Sequence, residues 1–164
     1  MPDSLPDAEK LLAKLVETIA PVITPETALI GIHTGGAWIA ERLHALLGIT
    51  QPLGVLDISF YRDDFSRIGL HPQVKPSRIP FQVEDRPLIL VDDVLHTGRT
   101  IRAAMNELFD YGRPSSIKLA VLVDRGDREL PICPEFAGAQ FSLPPDRNLQ
   151  LSRDANNRLS LSLK

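Results

Sequence analysis

The sequence predicts an α/β fold in which a mainly parallel sheet is flanked by helices. Short, continuous apolar runs recur along the chain, as expected for strands that are buried on both faces. Between them lie segments with apolar residues three and four positions apart, which is the spacing of amphipathic helices. Strands that alternate with helices in this way form βαβ units, and such units build a parallel sheet with helices on both faces.

The first part of the chain supplies one helix and then a strand–helix–strand unit. Asp7 is placed to cap the first helix, and Pro21 ends it. The apolar run ALIGI predicts a buried strand at 28–32, and the helical pattern that follows stops at Gly48. The run LGVLDIS predicts the next strand at 53–59.

The second part of the chain repeats the alternation. The run LILV predicts a buried strand at 88–91, which a short turn joins to a helix ending at Gly112. A third buried strand, IKLAVLV, is expected at 117–123. After it the pattern changes to short alternating segments, of which 140–143 and 158–163 are the clearest strand candidates.

Residues 60–81 differ from the rest of the chain. They combine charged side chains with a glycine and several prolines, and they show almost no periodicity. Long irregular segments in compact domains are usually lids, binding loops or disordered stretches. We expect a loop that closes over a site, and the alternative is a solvated surface loop.

The composition is that of an ordinary globular protein and excludes disordered and collagen-like chains. The 164 residues include 18 Lys+Arg and 21 Asp+Glu, so the net charge of −3 gives no overall basic field for nucleic acid. This length predicts a single domain over 1–164. Cys133 is the only cysteine, which excludes an intramolecular disulfide. An acidic N-terminus without a long apolar run predicts a cytoplasmic protein with no membrane partner.

The segment LILVDDVLHTGRT carries the clearest chemical signal. Two adjacent carboxylates, Asp92 and Asp93, follow a predicted buried strand, and a turn then leads into a predicted helix. The start of a helix offers unpaired backbone N–H groups and a positive dipole end, both suited to a phosphate. Gly98 allows close approach of the backbone, while Thr97 and Thr100 add hydroxyl donors. The carboxylates suit ribose hydroxyls, a hydrated Mg²⁺, or both, so the segment predicts a site for a sugar phosphate.

Other phosphate-binding motifs are absent from the sequence. Neither the nucleotide-triphosphatase loop G-x-x-x-x-G-K-[ST] nor the dinucleotide fingerprint G-x-G-x-x-G occurs. One alternative is that Asp93 and Thr97 merely cap a helix. Two carboxylates at the end of a buried strand argue against this alternative, because burying a charge without a partner costs several kcal/mol of folding free energy.

Residues 91–100 (VDDVLHTGRT) resemble the phosphoribosyl pyrophosphate (PRPP) motif of the type I phosphoribosyltransferases. Residues 57–67, 109–126 and 128–132 resemble one branch of that family, the pyrimidine operon attenuation regulators that double as uracil phosphoribosyltransferases. The resemblance extends over about residues 28–138. It implies the type I phosphoribosyltransferase fold, with a small hood over the site formed by about residues 60–81.

The resemblance also implies a reaction. Family members transfer the 5-phosphoribosyl group of PRPP to N1 of uracil with Mg²⁺, giving UMP and pyrophosphate. Asp92 and Asp93 would hold the ribose hydroxyls and, indirectly through PRPP, the Mg²⁺. The residues that the resemblance assigns are the PRPP-binding Asp92, Asp93, Val94, Leu95, His96, Thr97, Gly98, Arg99 and Thr100; the pyrophosphate loop Thr34, Gly35 and Gly36; the catalytic candidates Asp93 and Arg62; and the base-binding Val123, Asp124 and Arg125.

The chain departs from the family at the pyrophosphate loop. That loop usually reads Thr-Arg-Gly, whereas here Gly35 follows Thr34. The missing guanidinium would have offered a bidentate contact to the leaving group, so the activity is expected to be weaker. His33 is expected to be structural.

A second departure concerns RNA. Members of the resembled branch bind a pyr leader RNA through basic residues on a dimer face, so the resemblance also implies a homodimer or a higher homo-oligomer. Here the first helix has only Lys10 and Lys14 against three acidic residues, and the basic side chains of the tail could equally be solvated surface. Two alternatives to a regulator with uracil phosphoribosyltransferase activity stay open: a non-catalytic, UMP- or UTP-sensing RNA-binding attenuator, and a phosphoribosyltransferase for another base. The basic residues of the tail are Arg147, Arg153, Arg158 and Lys164.

Overall fold

The computed structural model describes residues 4–58 and 77–164. Their helices and strands alternate as the sequence predicts. The helices are α1 (Ala8–Ile19), α2 (Gly35–Leu47) and α3 (Arg99–Phe109), with a 3₁₀ turn at Ala20–Val22. The strands are β1 (Ala28–Ile32), β2 (Gly54–Leu56), β3 (Pro87–Leu95), β4 (Ser116–Asp124), β5 (Phe136–Gln140), β6 (Leu149–Arg153) and β7 (Leu159–Leu163).

Five strands form one parallel sheet in the order β2–β1–β3–β4–β5. In its middle, Gly31 of β1 lies opposite Val55 on one side and Val91 on the other. Strands β6 and β7 form a separate antiparallel hairpin. The predicted fold class, an α/β fold with a mainly parallel sheet, is confirmed.

Helices cover both faces of the sheet. On one face, α1, α2 and the β6–β7 hairpin pack against side chains such as Leu29 and Ile89. On the other face, α3 packs against the alternate side chains, such as Ile30 and Leu90. Because successive residues of a strand point to opposite faces, strands buried on both sides read as continuous apolar runs. This is why β1, β3 and β4 could be predicted from the sequence.

The strand order reverses between β1 and β3. From β1 the chain passes through α2 to β2 at one edge, and from β3 it passes through α3 to β4 in the opposite direction. In open parallel sheets, ligands bind in the crevice beyond the carboxyl ends of the strands at such a reversal. Residues 33–36 and 92–100, which follow or complete these two strands, therefore share one crevice.

Two predicted elements differ from the structure, and one observed strand was not predicted. Strand β3 continues to Leu95, beyond the expected turn at Asp92, because it pairs with β4 as far as Asp124. The strand predicted at 140–143 is instead β5, Phe136–Gln140, a small-residue segment (FAGAQ) that lies against β4. Strand β6 was not predicted, because LQLSR is half polar and takes its structure from β7.

An ion pair ties the first helix to the second and to the C-terminal hairpin. Arg42 of α2 donates from both terminal nitrogens to Glu9, at 2.8 and 3.0 Å. Arg42 also donates to the carbonyl of Asn157 at 2.9 Å, while the N–H of Leu159 donates to Glu9 at 2.8 Å. Asp7 caps α1 as predicted, accepting from the N–H of Glu9 at 2.9 Å.

Among residues 4–58 and 77–164, no helix combines the length and the apolar character needed to cross a membrane.

Candidate active site

The two adjacent carboxylates lie at the end of β3, in the crevice. Asp92 is 7% exposed, and Asp93 is half-buried. The N–H of Asp93 donates to Oδ1 of Asp92 at 2.8 Å, and the N–H of Val94 donates to Oδ1 of Asp93 at 2.7 Å. These local bonds orient both side chains. Since a carboxylate offers about four acceptor positions, each keeps capacity for a hydroxyl or a hydrated cation.

The turn after β3 leads directly into α3. Gly98 is the N-cap residue and has a φ of 95°, a left-handed conformation that favours glycine. A Cβ atom at this position would also lie 3.0 Å from Cγ1 of Ile132. The hydroxyl of Thr97 accepts from the N–H of Arg99 at 3.2 Å, inside the same turn. The first N–H groups of α3 thus face the crevice end of the sheet, as a phosphate site requires.

The predicted pyrophosphate loop lies against these carboxylates. Thr34 is the N-cap residue of α2, and Gly35 and Gly36 form its first turn. A Cβ at Gly36 would be 2.5 Å from the carbonyl oxygen of Val91. A Cβ at Gly35 would be 2.8 Å from Cγ of Asp93 and closer still to its Oδ2. The structure therefore brings Gly35 and Gly36, at the start of α2, against the end of β3, where Asp92 and Asp93 lie.

The contact at Gly35 bears on the arginine that the family usually has there. In this structure the Asp93 carboxylate fills the space that the Cβ of any larger residue would need. A side chain at position 35 would require Asp93 to rotate away.

The predicted base-binding residues lie at the end of β4, at the same edge of the sheet: Val123 and Asp124 complete the strand and Arg125 follows it. Val123 is fully buried, and Arg125 is 4% exposed. The Arg125 guanidinium donates to the carbonyl of Arg147 at 3.0 Å and to Oδ1 of Asn148 at 3.2 Å, so it holds the segment before β6. Asp124 forms an ion pair with Arg128. Base recognition by 123–125 stays a prediction.

His96, within the PRPP motif, lies next to the segment that follows β4, whose Arg128 donates to the His96 carbonyl at 3.1 Å. Burial lowers the pKa of its imidazole, and the nearby Arg125 guanidinium lowers it further. Both effects favour the neutral ring. Nearby, the exposed Arg99 donates to Glu129 at 3.1 Å. Since exposed ion pairs are weak, Arg99 can exchange this partner for a phosphate.

Two residues near the crevice were not singled out in the sequence as site residues. Asp57 follows β2, is 8% exposed, and its N–H donates to Oγ of Ser77 at 3.0 Å. The sequence predicts a strand over 53–59, so an acidic residue inside that apolar run was the available signal. Arg128 was the second, and its contacts with Asp124 and His96 are visible only in three dimensions.

Part of the predicted site lies outside the described residues. This applies to Arg62 and to most of the predicted hood at 60–81. The end of that segment is described: Arg78 and Val55 exchange two backbone hydrogen bonds of 2.8 Å, which returns the chain to β2.

The donor set fits a magnesium ion that arrives with its substrate. Mg²⁺ prefers oxygen ligands and usually binds one or two carboxylates together with substrate phosphates. Asp92 and Asp93 supply such oxygens. In the part of the chain that the structure describes, no three His, Cys, Asp or Glu side chains group as a site made by protein alone would need.

Acid should destabilise the protein partly through Asp124. The Arg128 guanidinium that hydrogen-bonds to it holds the pKa of this carboxyl below its ordinary value of 3.8. The ion pair therefore stabilises the fold at pH values above the ordinary pKa, and this stability is lost as the pH falls through the lower, folded-state pKa. Urea unfolding of wild type and Asp124→Asn from about pH 7 to about pH 3 should show a shallower loss in the variant. Equal slopes would contradict this assignment.

Comparison with known proteins identifies the family. The family described as "Phosphoribosyl transferase domain" matches residues 1–139, which include both loops of the crevice. The chain belongs to the phosphoribosyltransferase family. The predicted type I phosphoribosyltransferase fold is thereby confirmed.

Curated relatives place this phosphoribosyltransferase in one branch. It is 60% identical over 127 residues to the "Bifunctional protein PyrR" of Nitrosococcus oceani, covering 76% of this chain and 72% of the relative. It is 50% identical over 162 residues to the protein of that name from Pseudomonas fluorescens, covering 96% of each. The predicted branch, the regulators with uracil phosphoribosyltransferase activity, is confirmed.

Solved structures agree on the fold. A hypoxanthine-guanine phosphoribosyltransferase from Bacillus anthracis superposes with a TM-score of 0.67 at 21% identity, over 88% of this chain and 85% of that one. A purine phosphoribosyltransferase from Pyrococcus horikoshii gives a TM-score of 0.60 at 24% identity, over 84% and 87%. At these identities the likeness concerns the fold.

Proposed function

We propose that this phosphoribosyltransferase binds PRPP with Mg²⁺ in the crevice between β1 and β3 and transfers its phosphoribosyl group to N1 of uracil. One observation carries the proposal. The start of α2 lies against the carboxylates near the end of β3, and only residues 96–98 separate β3 from the start of α3, so two helix N-termini and two carboxylates belong to one crevice. PRPP has phosphates at both ends of a ribose, and this arrangement is complementary to it.

Each part of the crevice has a role in this proposal. Residues 97–100 at the start of α3 hold the 5′-phosphate with backbone N–H groups and hydroxyls. Asp92 and Asp93 accept hydrogen bonds from the ribose hydroxyls. Residues 34–36 at the start of α2 face the pyrophosphate. Asp92 and Asp93 would hold Mg²⁺ together with PRPP, and the ion would supply positive charge to stabilise the pyrophosphate leaving group.

The transfer step depends on stabilising charge. As pyrophosphate departs, the ribose acquires oxocarbenium character, and in this proposal the negative charge of Asp93 stabilises it. The positive end of the α2 dipole favours the growing negative charge of the leaving group. Gly35 contributes only backbone there, so we expect slower transfer than with an arginine at this position.

The specificity for the base is tested by offering different bases to the same protein. Purified protein is incubated with PRPP, Mg²⁺ and labelled uracil, cytosine, hypoxanthine or guanine, and the nucleotides formed are separated. UMP is the expected product. A purine nucleotide as the main product would instead support the phosphoribosyltransferase for another base. No product, together with stabilisation by UMP or UTP in thermal unfolding, would support the non-catalytic nucleotide sensor.

We also propose that the protein regulates pyrimidine genes by binding the pyr leader RNA, as a homodimer. The confirmed branch supports this, since its curated members are called bifunctional. The surface gives limited support. The Cζ atom of Arg153 lies 4.9 Å from the centre of the Trp38 ring, and its Nη1 forms an ion pair with Glu41 at 3.0 Å. Arg42 is paired with Glu9. Part of the positive charge on this surface is therefore neutralised.

The RNA proposal makes a salt-dependent prediction. Because cations that replace counterions on RNA give affinity that falls with salt, binding to the leader RNA should weaken steeply as salt rises. Added UMP should strengthen it. Arg158→Gln in the exposed hairpin turn should reduce both the affinity and the salt slope, while UMP synthesis stays unchanged. Binding that responds neither to salt nor to nucleotide would contradict RNA regulation, and light scattering will report the oligomer.

A further inference from the structure

Three successive carbonyl groups of the PRPP motif bond to one neighbouring segment, residues 124–132, which we call the bracing segment. The carbonyl of Leu95 accepts from the N–H of Arg125 at 3.0 Å. The carbonyl of His96 accepts from Nη1 of Arg128 at 3.1 Å. The carbonyl of Thr97 accepts from the N–H groups of residues 129 and 130, at 2.9 and 3.0 Å. The turn before α3 is therefore held along its whole length from one side.

This arrangement sets the direction of the N–H groups. In a planar trans peptide, the carbonyl and the N–H of the following residue point in opposite directions. Carbonyls of residues 95–97 that face the bracing segment therefore turn the N–H groups of 96–98 away from it. Fixed N–H groups bind an anion better than mobile ones, because no ordering is needed when the anion arrives.

The middle carbonyl of the three is held by a side chain. Arg128 is itself fixed by a bidentate ion pair, with Nη1 2.8 Å from Oδ1 and Nη2 2.7 Å from Oδ2 of Asp124. Its Nε donates to the carbonyl of Ile132 at 2.7 Å. The guanidinium thus connects the end of β4, the far end of the bracing segment and His96 of the PRPP motif.

The burial of this ion pair separates it from an ordinary surface pair. The side chains of Arg128 and Asp124 are 23% and 11% exposed, against 50% and 51% for the neighbouring pair Arg99–Glu129. Solvent therefore weakens the Arg128 contacts less. A lysine would keep the charge, but its single ammonium cannot reach all these acceptors at once.

We propose that Arg128 is a positioning residue for PRPP binding, acting through the carbonyl of His96 on the N–H groups of residues 96–98. This inference rests on the proposed function, because it concerns the same crevice and the same substrate. It assigns Arg128 no contact with the reacting atoms. It predicts an effect on PRPP binding that exceeds any effect on the base or on the transfer step.

The test compares Arg128→Lys with a matched control, Arg42→Lys. Arg42 makes the same kind of bidentate pair, with Glu9, and also donates to one carbonyl, that of Asn157. It joins α2 to the hairpin and does not contact the PRPP motif. Both substitutions should lower the thermal midpoint of unfolding similarly, whereas only Arg128→Lys should weaken PRPP binding.

The readouts are the dissociation constant of PRPP by calorimetry with Mg²⁺ and the steady-state constants. For Arg128→Lys we expect Kd and KM for PRPP to rise about tenfold, the size of losing a charge-assisted hydrogen bond. KM for uracil and kcat should change less than about twofold. Asp124→Asn keeps the Arg128 guanidinium but removes its charged partner, so the Kd of PRPP should rise about threefold. This variant replaces Arg128→Lys in the test if Arg128→Lys does not fold.

The outcomes separate this inference from the proposed function. Unchanged PRPP binding in Arg128→Lys, or an equal change in Arg42→Lys, would overturn the positioning role while leaving the proposed function intact. A folded wild-type protein that binds no PRPP would overturn both. Wild-type binding without transfer to any base would overturn only the catalytic proposal, and the calorimetric comparison of the variants would still decide the role of Arg128.

Discussion

Asp93→Asn will lose most UMP synthesis while the protein stays folded. Asparagine keeps the shape of the side chain and the oxygen that accepts from the N–H of Val94 at 2.7 Å. What it removes is the negative charge that our proposal places next to the developing oxocarbenium ion and the Mg²⁺–PRPP complex. Loss of one such preorganised electrostatic interaction costs about 10²- to 10³-fold in kcat. The initial rate of UMP formation at saturating PRPP measures it.

The matched control for this prediction is Asp110→Asn. Asp110 is an exposed carboxylate at the C-terminal end of α3, remote from the PRPP motif at the other end of the helix. This control should retain full activity and the same thermal midpoint. If Asp93→Asn also kept wild-type kcat, the assignment of Asp93 would be wrong.

Gly36→Ala will destabilise the protein, and it will also disrupt the crevice. The added Cβ would lie 2.5 Å from the carbonyl oxygen of Val91 and 2.9 Å from Cα of Asp92, both backbone atoms of the central strand β3. Backbone cannot move aside as a side chain can, so α2 must shift as a whole. Overpacking of this kind costs about 1–3 kcal/mol, and here it also displaces the pyrophosphate loop. Urea unfolding and PRPP calorimetry measure the two effects.

Gly35→Ala is the matched control, one residue earlier in the same helix turn. Its Cβ would meet only the Asp93 side chain among its three nearest neighbours, and that carboxylate can rotate. We expect a stability loss under about 1 kcal/mol, with weaker activity because Asp93 has moved. A Gly36→Ala protein as stable as Gly35→Ala would show that α2 does not lie against β3 as described.

Sequence reasoning could predict the fold because its central strands are buried on both faces. The runs ALIGI and LILV are distinctive for that reason, and the motif at 91–100 marked the site. The edges of the fold were less predictable. FAGAQ has no strong strand preference, and it becomes β5 because its glycine lets it approach β4 closely. Strand β6 likewise depends on its partner β7.

The same distinction applies to the candidate site: residues of a contiguous motif could be predicted, and contacts between residues distant in sequence could not. Asp92, Asp93 and the glycines were predicted from a contiguous motif and from chain order. The Arg128 contacts were not, because a side chain that bonds to residues 124, 132 and 96 leaves no periodic signal. Sequence comparison noted that Gly35 lacks a guanidinium. Only the structure shows that Asp93 fills the space next to it.

Hydrogen exchange with and without PRPP and Mg²⁺ tests the central claim most directly, that PRPP binds in the crevice between β1 and β3. Backbone N–H groups that bond to phosphate exchange more slowly, and peptide-level mass spectrometry locates them. We predict protection at 34–37 and 96–101, with no change in the hairpin at 149–163. Protection confined to other segments would contradict the claim. So would the absence of any protection at saturating PRPP and Mg²⁺.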